Sequence, residues 1–124
     1  MKGSDEFKTS LPSNLSNRSI IMVLVTTETV SGRNCATLGL VTGSTIQSKH
    51  MFSDMGQGFK TIVGGELKSY TEMMSKARGI ATQRMIDQAA QMGADAIVCV
   101  RYTSASVMQQ AAEVLAYGTA VKFV

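Results

Sequence analysis

One helical period governs the centre of the chain. From about Glu66 to Met92, the residues Leu67, Tyr70, Met74, Ala77, Ala81, Met85, Ala89 and Met92 advance by three or four positions, the spacing that gathers side chains on one side of an α-helix. Such a stripe needs a sheet to cover it. A second line, Met73, Ile80, Ile86 and Ala90, lies partly off the first, so the apolar arc is wider than one sheet contact requires. Monomers seldom expose large contiguous apolar patches, and this excess predicts a partner chain. Gly93 stands where a left-handed C-terminal cap belongs.

After the helix the period changes to two. In "ADAIVCVRYTS", Ala96, Val98, Val100 and Tyr102 alternate with Ile97, Cys99, Arg101 and Thr103; in "EVLAYGTAVKFV", Leu115, Tyr117, Thr119, Val121 and Phe123 oppose Val114, Ala116, Gly118, Ala120 and Lys122. Two such strands in succession predict a long hairpin, across which Arg101 and Glu113 form an ion pair. Upstream, the β-branched run from Ile20 to Thr27 predicts a strand covered on both faces. "CATLGLVTGSTIQSK" predicts irregular β-structure, with Gly39 and Gly43 marking a bulge or a close approach. In "HMFSDMGQGFKTIVGG", Met51, Phe52, Met55, Phe59, Ile62 and Val63 keep helical steps, which predicts a short helix broken at Gly56 and Gly58.

This order of elements defines an α+β fold of two layers, an antiparallel sheet with one long helix packed across it. At 124 residues there is material for one core. Residues 1–21, polar and holding the single proline, read as a flexible leader; residues 22–124 form the single domain.

Few residues offer chemistry. Gly64 and Gly65 precede Glu66 rather than the Lys-Ser/Thr of a phosphate loop, and with Gly56 and Gly58 they miss the dinucleotide spacing; they predict a tight entry turn for the helix. His50 is the one histidine, so an HExxH pair is excluded and no triad can draw on a second imidazole. No carboxylates are spaced as a pair and no nucleophile has an identifiable base, so the expectation is a protein without catalytic residues. The two cysteines, Cys35 and Cys99, form no CxxC unit, and read as reduced thiols of a cytoplasmic protein. Cys99 and His50, in a chain with nine methionines, are the donors suited to a soft metal ion. The net charge of +3 is scattered and there is no Trp among the few aromatics, which speaks against a nucleic-acid groove. No run of about 18 apolar residues exists for a membrane span.

As a set, "VTTETVSGR", "GLVTGSTIQSK", "IVGGELKSYTEMMSKAR", "MGADAIVCVRYTS" and "EVLAYGTAVKFV" resemble the YbjQ-like family over nearly all of residues 22–124. The resemblance extends to a small selenium-binding protein of that group. It implies a dodecin-like subunit that assembles into rings, with pentamers and stacked decamers as the expected states, and a heavy-metal-binding role without catalytic residues. It also implies a small residue, glycine or alanine, at the position of Cys99, so the thiol is this chain's own. The combined expectation is a homo-oligomeric, ring-forming protein that binds a soft heavy metal or a selenium species. The alternative is an oligomeric scaffold that binds no metal.

Overall fold

The computed structural model of the protein describes residues 21–48 and 63–124. The leader, apart from Ile21, and the short helix expected between His50 and Ile62 lie outside the described residues. In chain order the elements are β1 (Val23–Leu24), β2 (Cys35–Ser48), α1 (Val63–Gln91), β3 (Ala96–Met108) and β4 (Ala111–Phe123). The strands lie in the order β1-β3-β4-β2. β4 is antiparallel to both β2 and β3, as expected, while β1 adds a parallel margin along the start of β3.

Helix α1 crosses the sheet along a row that steps by four. Met73, Ala77, Ala81, Met85 and Ala89 are fully buried, with Ser69 extending the line. The expected stripe is therefore corrected at both ends: Leu67, Tyr70 and Met92 are exposed, and Met73, placed on the outer line, belongs to the core. The physical reason is ridge geometry. Rows of residues four apart run oblique to the helix axis, whereas steps mixing three and four run parallel to it. The glycine pair also sits differently from expectation, inside the first turn of α1 rather than in a turn before it.

The helix comes closest to the sheet at Gly43. A methyl group there would collide with the Ala81 carbonyl oxygen and the Met85 nitrogen, and would lie 2.9 Å from the carbonyl carbon of Arg84. Strand and helix backbones are in contact, which a residue with a side chain forbids. Beside this crossing, α1 covers the outer edge of β2. The Thr42 N–H donates to Gln88 Oε1 at 2.7 Å, and Arg84 Nη1 donates to the Ser44 carbonyl at 2.8 Å. At its C-terminus the helix closes as a Schellman motif on Gly93 (φ +81°), with Gly93 N–H donating to Ala90 and Ala94 N–H to Ala89.

The hairpin forms with the expected sets on β4. Val114, Ala116 and Ala120 join Val41, Ala81, Met85, Ile97 and Val100 beneath the helix. On β3 the alternation breaks. Val98 pairs with Thr119, but the next pair is Arg101 with Tyr117, so Cys99 and Val100 share one step of β4. Cys99 takes a left-handed φ of 56°, and this bulge shifts the facing by one residue. Ala96 and Val98 thus point away from the helix, while Val100 points toward it. β1 is shorter than the Ile20–Thr27 strand expected, and Val23 is 37% exposed rather than covered. Beyond it only single bonds follow β3, from Val25 N–H to Ile97, from Val100 N–H to Val25 and from Cys99 N–H to Thr27, because the bulge turns β3 out of register.

Candidate functional site

Two surfaces meet at the Cys99 bulge. On the face away from α1, Ala96, Val98 and Val121 form a small core on which Val25, Val30, Cys35, Cys99 and Phe123 pack. The connection between β1 and β2 covers this end of the sheet. Arg101 Nη1 fastens it by donating to the carbonyls of Thr26 at 3.1 Å and Val100 at 2.9 Å. Arg33 lies over the Phe123 ring at 4.1 Å from its centroid, a cation–π contact at the margin of the same cluster. Asp95 Oδ2 accepts from Phe123 N–H at 2.9 Å and pairs with Lys122 at 3.5 Å, tying the start of β3 to the end of β4.

Both thiols touch this cluster without meeting. Cys35 stands opposite Phe123, and Cys99 lies between the rows of Thr119 and Tyr117 on the far side of β4. Four rows of a strand amount to roughly 13 Å, well beyond the span of a disulfide, and both cysteines are free.

The second surface follows from where the helix rests. α1 packs chiefly on β2, then on β4, and barely on β3. Over the outer half of β3 this leaves an open cleft of about 360 Å³, lined by Met74, Arg78, Tyr102, Thr103, Ser104 and Val114. Thr82 Oγ1 lies 2.7 Å from the Arg78 carbonyl and 2.7 Å from the Tyr102 hydroxyl. Since a carbonyl only accepts, the threonine proton goes to Arg78 and the tyrosine donates to the threonine. Tyr102 is thereby held across the cleft mouth. From Arg101 to Gln109 every residue is exposed.

Of the site residues expected from sequence, Cys99 is half-buried at the bulge, while His50 lies outside the described residues. The Arg101–Glu113 ion pair does not form: Arg101 stands opposite Tyr117 and Glu113 opposite Ala105, because the tight turn at Gln109 and Gln110 fixes the register of this part of the hairpin. Among the described residues no three His, Cys, Asp or Glu side chains gather where they could hold a metal. The described donors of one chain therefore do not fit a closed metal site on their own. The cleft escaped sequence reasoning, since it arises from the lateral offset of the helix, which no periodicity encodes.

These features define a two-layer α+β protein with one helix across a four-stranded mixed sheet. The same fold occurs in the crystal structure of a protein of unknown function from Pediococcus pentosaceus, assigned to the DUF74 family. That structure has a TM-score of 0.62 and 15% identity, with 83% of this chain and 98% of that chain covered. The chain belongs to the YbjQ family, whose model matches residues 22–124 and is described as "Putative heavy-metal-binding". It is 56% identical over 103 residues to a UPF0145 protein of Alkaliphilus metalliredigens, covering 83% of this chain and all of that one. A UPF0145 protein of Clostridium novyi is 55% identical over 101 residues (82% and 98% covered), and one of Pseudothermotoga lettingae 58% over 102 residues (82% and 96% covered). No helix among the described residues is long and apolar enough to cross a membrane.

Proposed function

We propose that the protein is a cytoplasmic, non-catalytic binding subunit that works as a homo-oligomeric ring, pentameric or stacked as a decamer, and takes a soft heavy metal or selenium species at junctions between copies. The observation that carries this reading is the amount of apolar surface one chain leaves uncovered. Leu40 is 68% and Ile46 59% exposed on the sheet face opposite α1, and Leu67 66% exposed on the helix. Surface of this kind favours burial against a further copy. The donor chemistry fits the same picture: one chain lacks a complete ligand set among its described residues, and symmetry repeats each donor around a ring. Cys99 and His50 are the residues that would supply thiolate and imidazole.

Light scattering on untagged protein, combined with elemental analysis, tests both halves. The expected mass is several times 13.2 kDa, with a soft metal or selenium present that falls in Cys99→Ser and His50→Ala variants. A single-subunit mass at high concentration refutes the assembly. Metal retained at the parental level in both variants refutes the assignment of donors. Oligomer without metal supports the second reading, a scaffold whose function lies in its assembled surface, which the dispersed donors among the described residues favour.

A further inference from the structure

The cleft over the outer half of β3 plays no part in the proposed metal binding, and its walls are of two kinds. Met74, Arg78 and Thr82 form a four-step row beside the buried row of Met73, Ala77 and Ala81, so this flank of α1 overhangs the strand. On β3, Tyr102 stands opposite Ala116 and Ser104 opposite Val114. Residues directly opposite share a face, and Ala116 and Val114 lie beneath the helix, so Tyr102 and Ser104 carry their hydroxyls on the cleft side. Met74 and Val114 add apolar surface. A cleft of about 360 Å³ has the size of a small-ligand site, and apolar surface with a few convergent polar groups is the pattern of such sites.

Arg78 is the group without an internal role. Met74 and Thr82, one turn to either side, are half-buried, whereas Arg78 is exposed. Among the described residues its guanidinium has no hydrogen-bond or ion-pair partner, and only its backbone carbonyl is engaged, by Thr82. No described carboxylate lines the cleft. Glu72, six positions earlier in α1, falls about 120° round the helix from Arg78. Asp87 falls on the opposite side and accepts from Gln83 at 2.9 Å. Glu113 alternates with the buried Val114 and faces away from the helix.

We infer that this cleft binds a small organic carboxylate with an aromatic body, the carboxylate on Arg78 and the ring against Met74 and Val114. The site is separate from Cys99 and rests on neither the metal nor the assembly. A guanidinium presents two parallel N–H donors that match the two oxygens of a carboxylate, and the Ser104 hydroxyl offers a further donor from the strand side. The Met74 thioether favours the edge of an aromatic ring. Tyr102 fixes the direction of entry. Its proton is committed to Thr82 Oγ1 at 2.7 Å, so its oxygen meets a ligand only as an acceptor and repels a carboxylate, which is left to Arg78.

The test is calorimetric titration of the full, untagged chain with phenylacetate, with saturation-transfer NMR as a second readout. Phenylacetate is expected to bind the parent. 2-Phenylethanol, which keeps the ring and lacks the charge, and acetate, which keeps the charge and lacks the ring, are each expected to bind at least about tenfold more weakly. Arg78→Met preserves the apolar stem and removes the charge-assisted pair, with an expected loss of about ten- to a hundredfold. Arg33→Met removes the same charge beside Phe123, at the margin of the other cluster, and the parental affinity is expected. Ser104→Asp sets a carboxylate on the strand side of the cleft and is expected to abolish binding, which keeps the test open if Arg78→Met misfolds. The site is overturned if phenylacetate at about 10 mM fails to bind the parent, or if either fragment binds as tightly as phenylacetate. It is equally overturned if Arg78→Met or Ser104→Asp binds as the parent does, or if Arg33→Met weakens binding as much as Arg78→Met, the mark of general attraction to a basic protein.

Discussion

Gly43→Ala is the perturbation for which the fold makes its sharpest demand. The added methyl would sit 2.9 Å from the Arg84 carbonyl carbon and nearer still to Ala81 O and Met85 N. Carbon atoms rest at about 3.5–4.0 Å, so the helix has to retreat from β2 by at least about 0.6 Å, and by more to clear the two closer atoms. A gap of about 0.5–1 Å forfeits a quarter to a half of the dispersion attraction of the atoms along it. The atoms concerned are those of Val41, Ala81 and Met85, all fully buried. Overpacking typically costs about 1–3 kcal/mol. Here both colliding partners are backbone and cannot turn aside, which places the cost near the upper end, about 3 kcal/mol. For a domain of this size that is a fall in Tm of roughly 12–24 °C. Gly79 supplies the control: it lies in the same helix, and a methyl there meets nothing within 4 Å, so Gly79→Ala is expected to stabilise by about 0.5–1 kcal/mol through helix propensity. Thermal and urea unfolding at matched protein concentration measures both. A Gly43→Ala protein within about 0.5 kcal/mol of the parent would refute the backbone contact between α1 and β2.

Two further perturbations address the bulge and the ends of the hairpin. Cys99 holds φ at +56°, a region open to glycine and closed to β-branched residues, so Cys99→Val is expected to cost about 1–2 kcal/mol more than Cys99→Gly in the same urea titration; equal stability of the two would argue against the bulge. Asp95→Ala removes the acceptor of the Phe123 N–H and the partner of Lys122, with an expected loss of about 1–2 kcal/mol and faster amide exchange at Phe123; unchanged exchange there would show the carboxylate to be idle.

The correspondence between sequence and structure divides at the level of direction. Periods of 3.6 and 2 in residues 66–92 and 96–123 were enough to place α1, β3 and β4 and to orient β4 correctly, because those periods follow from local backbone geometry. The cap at Gly93 was legible for the same reason. Gly43 was visible as a close approach, but its partner was not. Which helical residues meet the sheet was misread at Leu67, Tyr70 and Met73, since the crossing angle belongs to two elements at once. At the site, Cys99 could be named as a thiol, whereas the strain it carries comes from one extra residue in β3, the cleft beside Tyr102 from the lateral offset of the helix, and the missing Arg101–Glu113 pair from the register set at the hairpin turn.

By itself the sequence determined the long helix, the β3–β4 hairpin, the two-layer class and the family, because patterning and motif order are properties of the chain. Tertiary structure alone decided the tilt of the helix row, the sealing of β2 by Arg84 and Gln88, and the exposure of β3 from Arg101 onward. Each of these depends on how far one element is displaced across another, and that displacement is set by backbone contact at Gly43 and by the register of a bulge, neither of which is written in any local period.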